Sequence, residues 1–144
     1  MYRLTGPEDS WKTLPAYAFP EEAKLPIGPV IVPSSLWQAR KSELIRREYD
    51  HGWPLGVWLA SDEDIAVIER DIEDFSVIAI EFDRYSDGLG YENARILRRR
   101  GYRGQLRAFG DISGKIARLK HFGFDAFSTA KPAPGPGIRI AWAR

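Results

Sequence analysis

Apolar residues along this chain fall into short runs separated by polar, proline-rich or glycine-containing stretches. Pro29-Val30-Ile31-Val32-Pro33, Leu55-Gly56-Val57-Trp58-Leu59-Ala60, Ser76-Val77-Ile78-Ala79-Ile80-Glu81-Phe82, Gln105-Leu106-Arg107-Ala108-Phe109 and Phe124-Asp125-Ala126-Phe127 all have strand length. They are near-continuously apolar, as strands covered on both faces are. Between them the period lengthens to that of a helix. Ser35 and Gln38 stand at capping-box spacing and open a helix expected to reach about Tyr49, with Leu44 and Ile45 inward. Ser61 is placed to cap a second helix, with Asp62, Glu63 and Asp64 in its first turn and Ile65, Ile68 and Ile72 inward. A third is expected from about Gly90 to Arg100, with Tyr91, Ala94 and Leu97 inward and Gly101 closing it. A fourth is expected from about Ile112 to Phe122, closed by Gly123.

Strands alternating with helices predict an α/β fold with a mainly parallel sheet of about five strands and right-handed crossovers. An open part-barrel in strand order 1-2-3-4-5 and a flavodoxin-like doubly wound layer both satisfy the pattern. Either places ligands beyond the carboxyl ends of the strands. That edge holds Ala60-Ser61, the segment Asp83 to Gly90, Gly110-Asp111 and Ser128-Thr129. Residues 1–28 contain Pro7, Pro15, Pro20 and Pro26 with Trp11, Tyr17 and Phe19 between them. They read as a Pro-rich N-terminal arm lying on a surface, with Ala16–Phe19 as its best candidate for an edge strand. Residues 29–129 form the α/β domain. Residues 130–144 are a Pro- and Gly-rich tail, in which Ile138–Trp142 either adds a last edge strand or stays loosely attached.

Composition narrows the function classes. The 144 residues include 21 basic and 20 acidic side chains, a formal charge of +1, which argues against a general nucleic-acid binder. There is no Cys, which excludes disulfides, thiolate metal sites and thiol redox chemistry. No run approaches the ~18 apolar residues of a membrane span, and the N-terminus lacks a signal peptide's apolar region. A cytoplasmic protein with no membrane partner is therefore expected. The near-neutral total hides an asymmetry. Residues 1–60 are balanced, residues 61–83 carry nine acidic side chains against Arg70, and residues 84–144 carry thirteen basic against four acidic. Neighbouring solvated helices that compensate each other would produce this. So would a basic face that binds an anion or an acidic partner.

Candidate chemistry concentrates at the strand-end edge. Asp87-Gly88-Leu89-Gly90 follows a strand and opens a helix, which is half a dinucleotide fingerprint, and the third glycine position holds Asn93. The segment reads as a tight turn with Asp87 as turn or cap residue, as an anion cradle with Arg95 or Arg107 as counter-charge, or as a nucleotide site. Asp83, Asp87 and Asp111 can converge to bind Mg²⁺ or do acid–base work. Single Asp residues after strands also serve as helix caps, and Asp111 is placed for that. His51 and His121 stand apart from each other and from paired carboxylates, so no metal site is expected. Tyr85, Tyr91 and Tyr102 sit at helix boundaries and inward spacing and read as packing rather than stacking platforms for nucleic acid. Trp11, Trp37, Trp53 and Trp58 fill core and dock the arm, or form a protein–protein surface.

The stretch from Ile78 to Phe127 carries a family resemblance. It includes Phe82-Asp83-Arg84-Tyr85-Ser86-Asp87-Gly88-Leu89-Gly90-Tyr91, Ala94-Arg95-Ile96-Leu97-Arg98, Gly101-Tyr102-Arg103-Gly104-Gln105-Leu106-Arg107-Ala108-Phe109-Gly110-Asp111 and Gly123-Phe124-Asp125-Ala126-Phe127. With Gly56-Val57-Trp58-Leu59 upstream, this resembles bacterial domain-of-unknown-function family 934, labelled an oxidoreductase of sulfite reduction and typically encoded beside assimilatory sulfite reductase. Leu89 stands where the family usually has Arg, and Ile112-Ser113-Gly114-Lys115-Ile116 departs from its usual polar run.

The resemblance implies a place in sulfur metabolism. The residues show no Cys, no haem-ligation pattern and no complete cofactor motif, so no cofactor is expected and the oxidoreductase label reads as an association by neighbourhood. The leading expectation is an accessory protein that docks to sulfite reductase or another sulfur-assimilation enzyme. A small enzyme or anion/phosphate-binding module is the alternative, with Asp83, Tyr85, Asp87, Gly88, Gly90, Arg95, Arg107, Gly110 and Asp111 as its candidate residues. A homodimer in which two part-barrels complete each other is a third option. Whether the chain is catalytic at all is left open.

Overall fold

A computed structural model describes residues 3–4, 10–85 and 87–129. In chain order the elements are β1 (Arg3–Leu4), β2 (Lys12–Thr13), β3 (Val30–Pro33), α1 (Ser34–Ala39), α2 (Lys41–His51) and β4 (Leu55–Leu59). Two 3-10 helices follow, Ile65–Val67 and Glu69–Asp74, then β5 (Val77–Phe82), α3 (Asp87–Arg99), β6 (Gln105–Gly110), α4 (Ile116–His121) and β7 (Ala126–Ser128). All pairings are parallel, in the order β1-β7-β6-β5-β4-β3-β2. The sheet curls into a half-barrel, so of the two predicted architectures the part-barrel holds.

The central strands follow from the sequence directly. In parallel strands successive side chains point to opposite faces. Val57, Leu59, Ile78, Ile80, Phe82, Leu106 and Ala108 bury themselves under the helices, in one core with Leu36, Trp37, Ala94, Leu97 and Leu119. The alternate residues line the inner face. By register Pro33, Trp58, Ala79, Arg107 and Ala126 form one tier, and Glu81, Phe109 and Ser128 the next toward the carboxyl ends. Ile31, Trp58, Val77, Ala79 and Phe109 make a second, smaller core there, against which Trp11 and Ala16 pack.

Both edges of the sheet are closed by the N-terminal segment, with β1 along β7 and β2 along β3. The Lys12 N–H reaches Pro29 O at 3.1 Å, and the Leu14 N–H reaches Ile31 O at 2.8 Å. Pro29 and Pro33 donate nothing, which suits β3 to a near-edge position. Two arginines hold the next stretch. Arg40 donates to Pro20 O and Ala23 O, and Arg47 to Pro26 O and Gly28 O. The Trp58 indole N–H donates to Leu14 O at 2.8 Å.

Several local expectations are corrected. The edge strand is Lys12–Thr13, and Ala16–Phe19 is no strand. The first helix is two, because Arg40 (φ −137°, ψ 37°) leaves the helical region to grip the N-terminal segment and Glu43. That break resets the phase, so Leu44 is buried while Ile45 is exposed. No capping box forms at Ser35; α1 starts after Pro33, and Gln38 donates instead to Val67 O. The stretch after Ser61 makes 3-10 helices, capped by Asp64, whose side chain accepts from the Ala66 N–H. Glu63 and Asp64 make the side-chain bonds that draw the turn tight. Glu63 accepts from the Ala60 N–H and the Ser34 hydroxyl. Helix α3 starts about a turn earlier than expected, and α4 starts four residues later, at Ile116. The predicted edge at Ile138–Trp142 lies outside the described residues.

Candidate functional site

The turns after β4, β5 and β6 meet at one rim. Phe82 pairs with Gly110 across β5 and β6, and the Asp111 N–H donates to Phe82 O at 2.8 Å. The segment beginning at Asp83 and the Gly110–Asp111 corner therefore share an edge, as expected.

Asp83 is the hub of this rim. Its carboxylate accepts from the Ser61 hydroxyl and from the Tyr85 N–H, both at 2.8 Å, and its carbonyl accepts from Lys115 Nζ at 3.1 Å. Three successive loops are thus tied to one residue. Glu81, buried at the inner face, accepts from the Ser61 N–H at 3.0 Å. Ser61 is a rim brace rather than a helix cap. Tyr85, expected to pack, is 84% exposed. It lies on the loop between β5 and α3, two residues before the helix begins at Asp87. Arg84 lies over its ring at 6.0 Å.

The two glycines of the half-fingerprint sit in the first turn of α3. Gly88 is exposed, with nothing within 4 Å of a Cβ built on it. Gly90 is buried, and a Cβ there would stand 2.8 Å from the Phe82 ring. The second glycine thus permits close packing of helix on strand, the role that the third glycine has in dinucleotide-binding turns. Asp87 begins the helix. Gly110 has φ +99°, a backbone conformation that favours glycine. Asp111 does not cap α4, whose N-cap is Lys115 with no side-chain bond.

The proposed counter-charges lie elsewhere. Arg95 faces solvent two turns along α3 and pairs with Glu92 at 2.7 Å. Arg107, between the outward-buried Leu106 and Ala108, points to the inner face, is buried, and is held by Gln105 Oε1 at 2.9 Å and 3.2 Å. Helix α3 covers the opposite face, so neither arginine meets Gly88 and Gly90. No group of three or more His, Asp or Glu able to hold a metal ion occurs among the described residues. No helix of the described residues is long and apolar enough to cross a membrane.

Asn93, at the position of the third fingerprint glycine, is a brace that the fingerprint pattern does not reveal. It is 1% exposed, its Oδ1 accepts from the Ile65 N–H at 3.0 Å, and its Nδ2 donates to Glu63 O at 2.8 Å. It ties the 3-10 segment after β4 to α3. The signal available in the sequence was a polar residue at a helix position otherwise flanked by buried ones. Tyr102 is a second buried brace. Its hydroxyl donates to Phe75 O at 2.9 Å, and burial pushes its pKa up. A cavity of about 290 Å³ lined by Ile72, Phe75, Arg100, Tyr102 and Arg103 lies at the opposite end of the strands from the rim.

No curated protein matches the chain. A family model described as "Bacterial protein of unknown function (DUF934)" matches residues 56–135, which span β4 to β7 and the whole braced rim. The match covers more than half of the 144 residues, and the chain belongs to that family.

Proposed function

We propose that this protein is an accessory component of sulfate or sulfite reduction that acts by docking to sulfite reductase or a related enzyme of sulfur assimilation. The observation that carries the docking reading is the exposure of Tyr85, with Arg84 over its ring, on a loop pinned by the Asp83 network. Tyr and Arg are the side chains that most often dominate protein–protein binding. Presented from a backbone already fixed, they lose little freedom on association. The family resemblance in this same stretch supplies the sulfur-assimilation context. The absence of Cys from the sequence and the packing duty of Gly90 favour docking over self-contained redox catalysis.

The test is titration calorimetry of the chain against purified assimilatory sulfite reductase. Wild type binds, and Tyr85→Ala weakens binding by about 2 kcal/mol, roughly thirtyfold in Kd. Unfolding of the variant stays within about 0.5 kcal/mol of wild type, because the side chain is exposed. Absence of binding by wild type, or equal binding by the variant, overturns the reading.

A further inference from the structure

This inference rests on the docking reading and supplies the chemistry of the partner's face. We infer that the surface formed by α3 and α4 receives an acidic protein surface. From Gly88 to Asp125, leaving out Arg107 of the inner face, the chain carries eight basic side chains and three acidic ones. Two of the acids are used locally, Glu92 by Arg95 and Asp125 by Arg98, both at 2.7 Å. Arg99 and Arg103 remain exposed, with no ion pair among the described residues. Cations in the last turn of a helix complement its macrodipole. That accounts for Arg99 but not for Arg103, which lies beyond the helix.

Arg95, Arg99 and Arg118 lie on one side, while Arg103 extends the charge past the end of α3, where it lines the cavity beside Arg100 and Glu73. Tyr91, Arg95 and Arg99 recur at four-residue spacing and share a stripe of α3. Arg118 of α4 is exposed and lies over the Tyr91 ring at 4.6 Å, so the second helix adds its charge beside that stripe. Along α3 the stripe runs about 12 Å from Tyr91 to Arg99. On the far flank of α3 the 3-10 helices carry Glu69, Asp71, Glu73 and Asp74, and Glu69 meets Arg100. A short cationic face bordered by anions fits a compact acidic protein surface. An extended polyanion such as a nucleic acid would run onto the acidic border.

The test uses the triple variant Arg99→Glu, Arg103→Glu, Arg118→Glu, with three immobilised probes: purified sulfite reductase, poly-L-glutamate and a single-stranded oligonucleotide. Screening weakens exposed charge pairs as salt rises. Wild type should therefore bind the first two probes at least roughly tenfold more weakly at about 0.3 M than at about 0.05 M salt. The variant should lose that salt-sensitive part while staying folded, with only the modest drop in thermal stability that follows from losing the helix-end charge of Arg99 and the Arg118 contact with Tyr91. If wild type and variant bind poly-L-glutamate alike, or the oligonucleotide binds more tightly than either acidic probe, the inference is overturned. If poly-L-glutamate shows the charge-dependent binding while sulfite reductase is not bound at all, the acidic-face inference stands and the proposed function falls. If sulfite reductase is bound with no salt or variant effect, docking stands and the acidic face is lost.

Discussion

The two strand-to-helix turns that meet at the rim draw on the same residue types and are built differently. After β5 the chain enters α3 within a few residues, held by polar side chains. Asp83 ties the loop to Ser61 and to the Tyr85 backbone, and Asn93 ties the new helix to the preceding segment. After β6 the chain takes two left-handed steps, Gly110 at φ +99° and Gly114 at φ +78°, buries Ile112, and delays its helix to Ile116. Glycine in the first turn matters where a Cβ would collide. Glycine in the second matters because of its backbone angle. A Gly–Asp pair at a strand end therefore marks a turn without saying what the turn is for. Only the first turn leaves an aromatic side chain standing in solvent.

Removing Asn93 should do the most to break this contrast. Asn93→Ala strips partners from the Ile65 N–H and the Glu63 carbonyl, with about 1–3 kcal/mol at stake for each polar group left buried and unpaired. Denaturant unfolding should show a loss of about 2–4 kcal/mol in total. A loss under about 0.5 kcal/mol, the size of an ordinary surface change, would mean that the first turn is held without its side-chain clamp.

Gly90→Ala should have a smaller effect in the same direction. Alanine gains about 1 kcal/mol over glycine in a helix interior. Here the added carbon meets the Phe82 ring at 2.8 Å, and that ring is fully buried against Tyr91 and Phe124. Overpacking of this kind costs about 1–3 kcal/mol, so the net result is a lower Tm. A rise in Tm would show that the ring yields, and that packing is not why glycine stands there.

Much of the fold was legible because β3 to β7 are near-continuous apolar runs interrupted only by single polar residues such as Glu81 and Arg107, a pattern typical of a covered parallel sheet. The opposite placement of Arg107 and Gly90 was also within reach. Arg107 alternates with Leu106 and Ala108, so an outward-packed Leu106 already sends it inward. The two-residue strands at Arg3–Leu4 and Lys12–Thr13 were not legible, since their pairing depends on distant partners at both edges of the sheet. The choice of 3-10 over α-helix after Ser61 depends on Glu63 and Asp64 finding particular bonds. The exposure of Tyr85 was not legible, since a loop residue two positions before a helix carries no periodicity that assigns its face.

Gly88→Ala should have the smallest effect and the opposite sign, and it sharpens the comparison within a single turn. Gly88 lies two residues before Gly90 in the same helical segment, yet a Cβ there meets nothing within 4 Å. Its backbone is not among those with positive φ. The substitution should raise stability by up to about 1 kcal/mol, less if the first turn carries only part of the interior preference. That gain can be read as a rise in Tm of a few degrees. The same variant tests the anion-cradle alternative. A cradle needs a bare backbone at Gly88 for an oxyanion to approach, so any stabilisation of wild type by sulfate or phosphate through this turn should disappear in Gly88→Ala. Equal responses of the two proteins to these anions would leave Gly88 as an ordinary exposed helix residue and Gly90 as the one glycine of the pair that the fold requires.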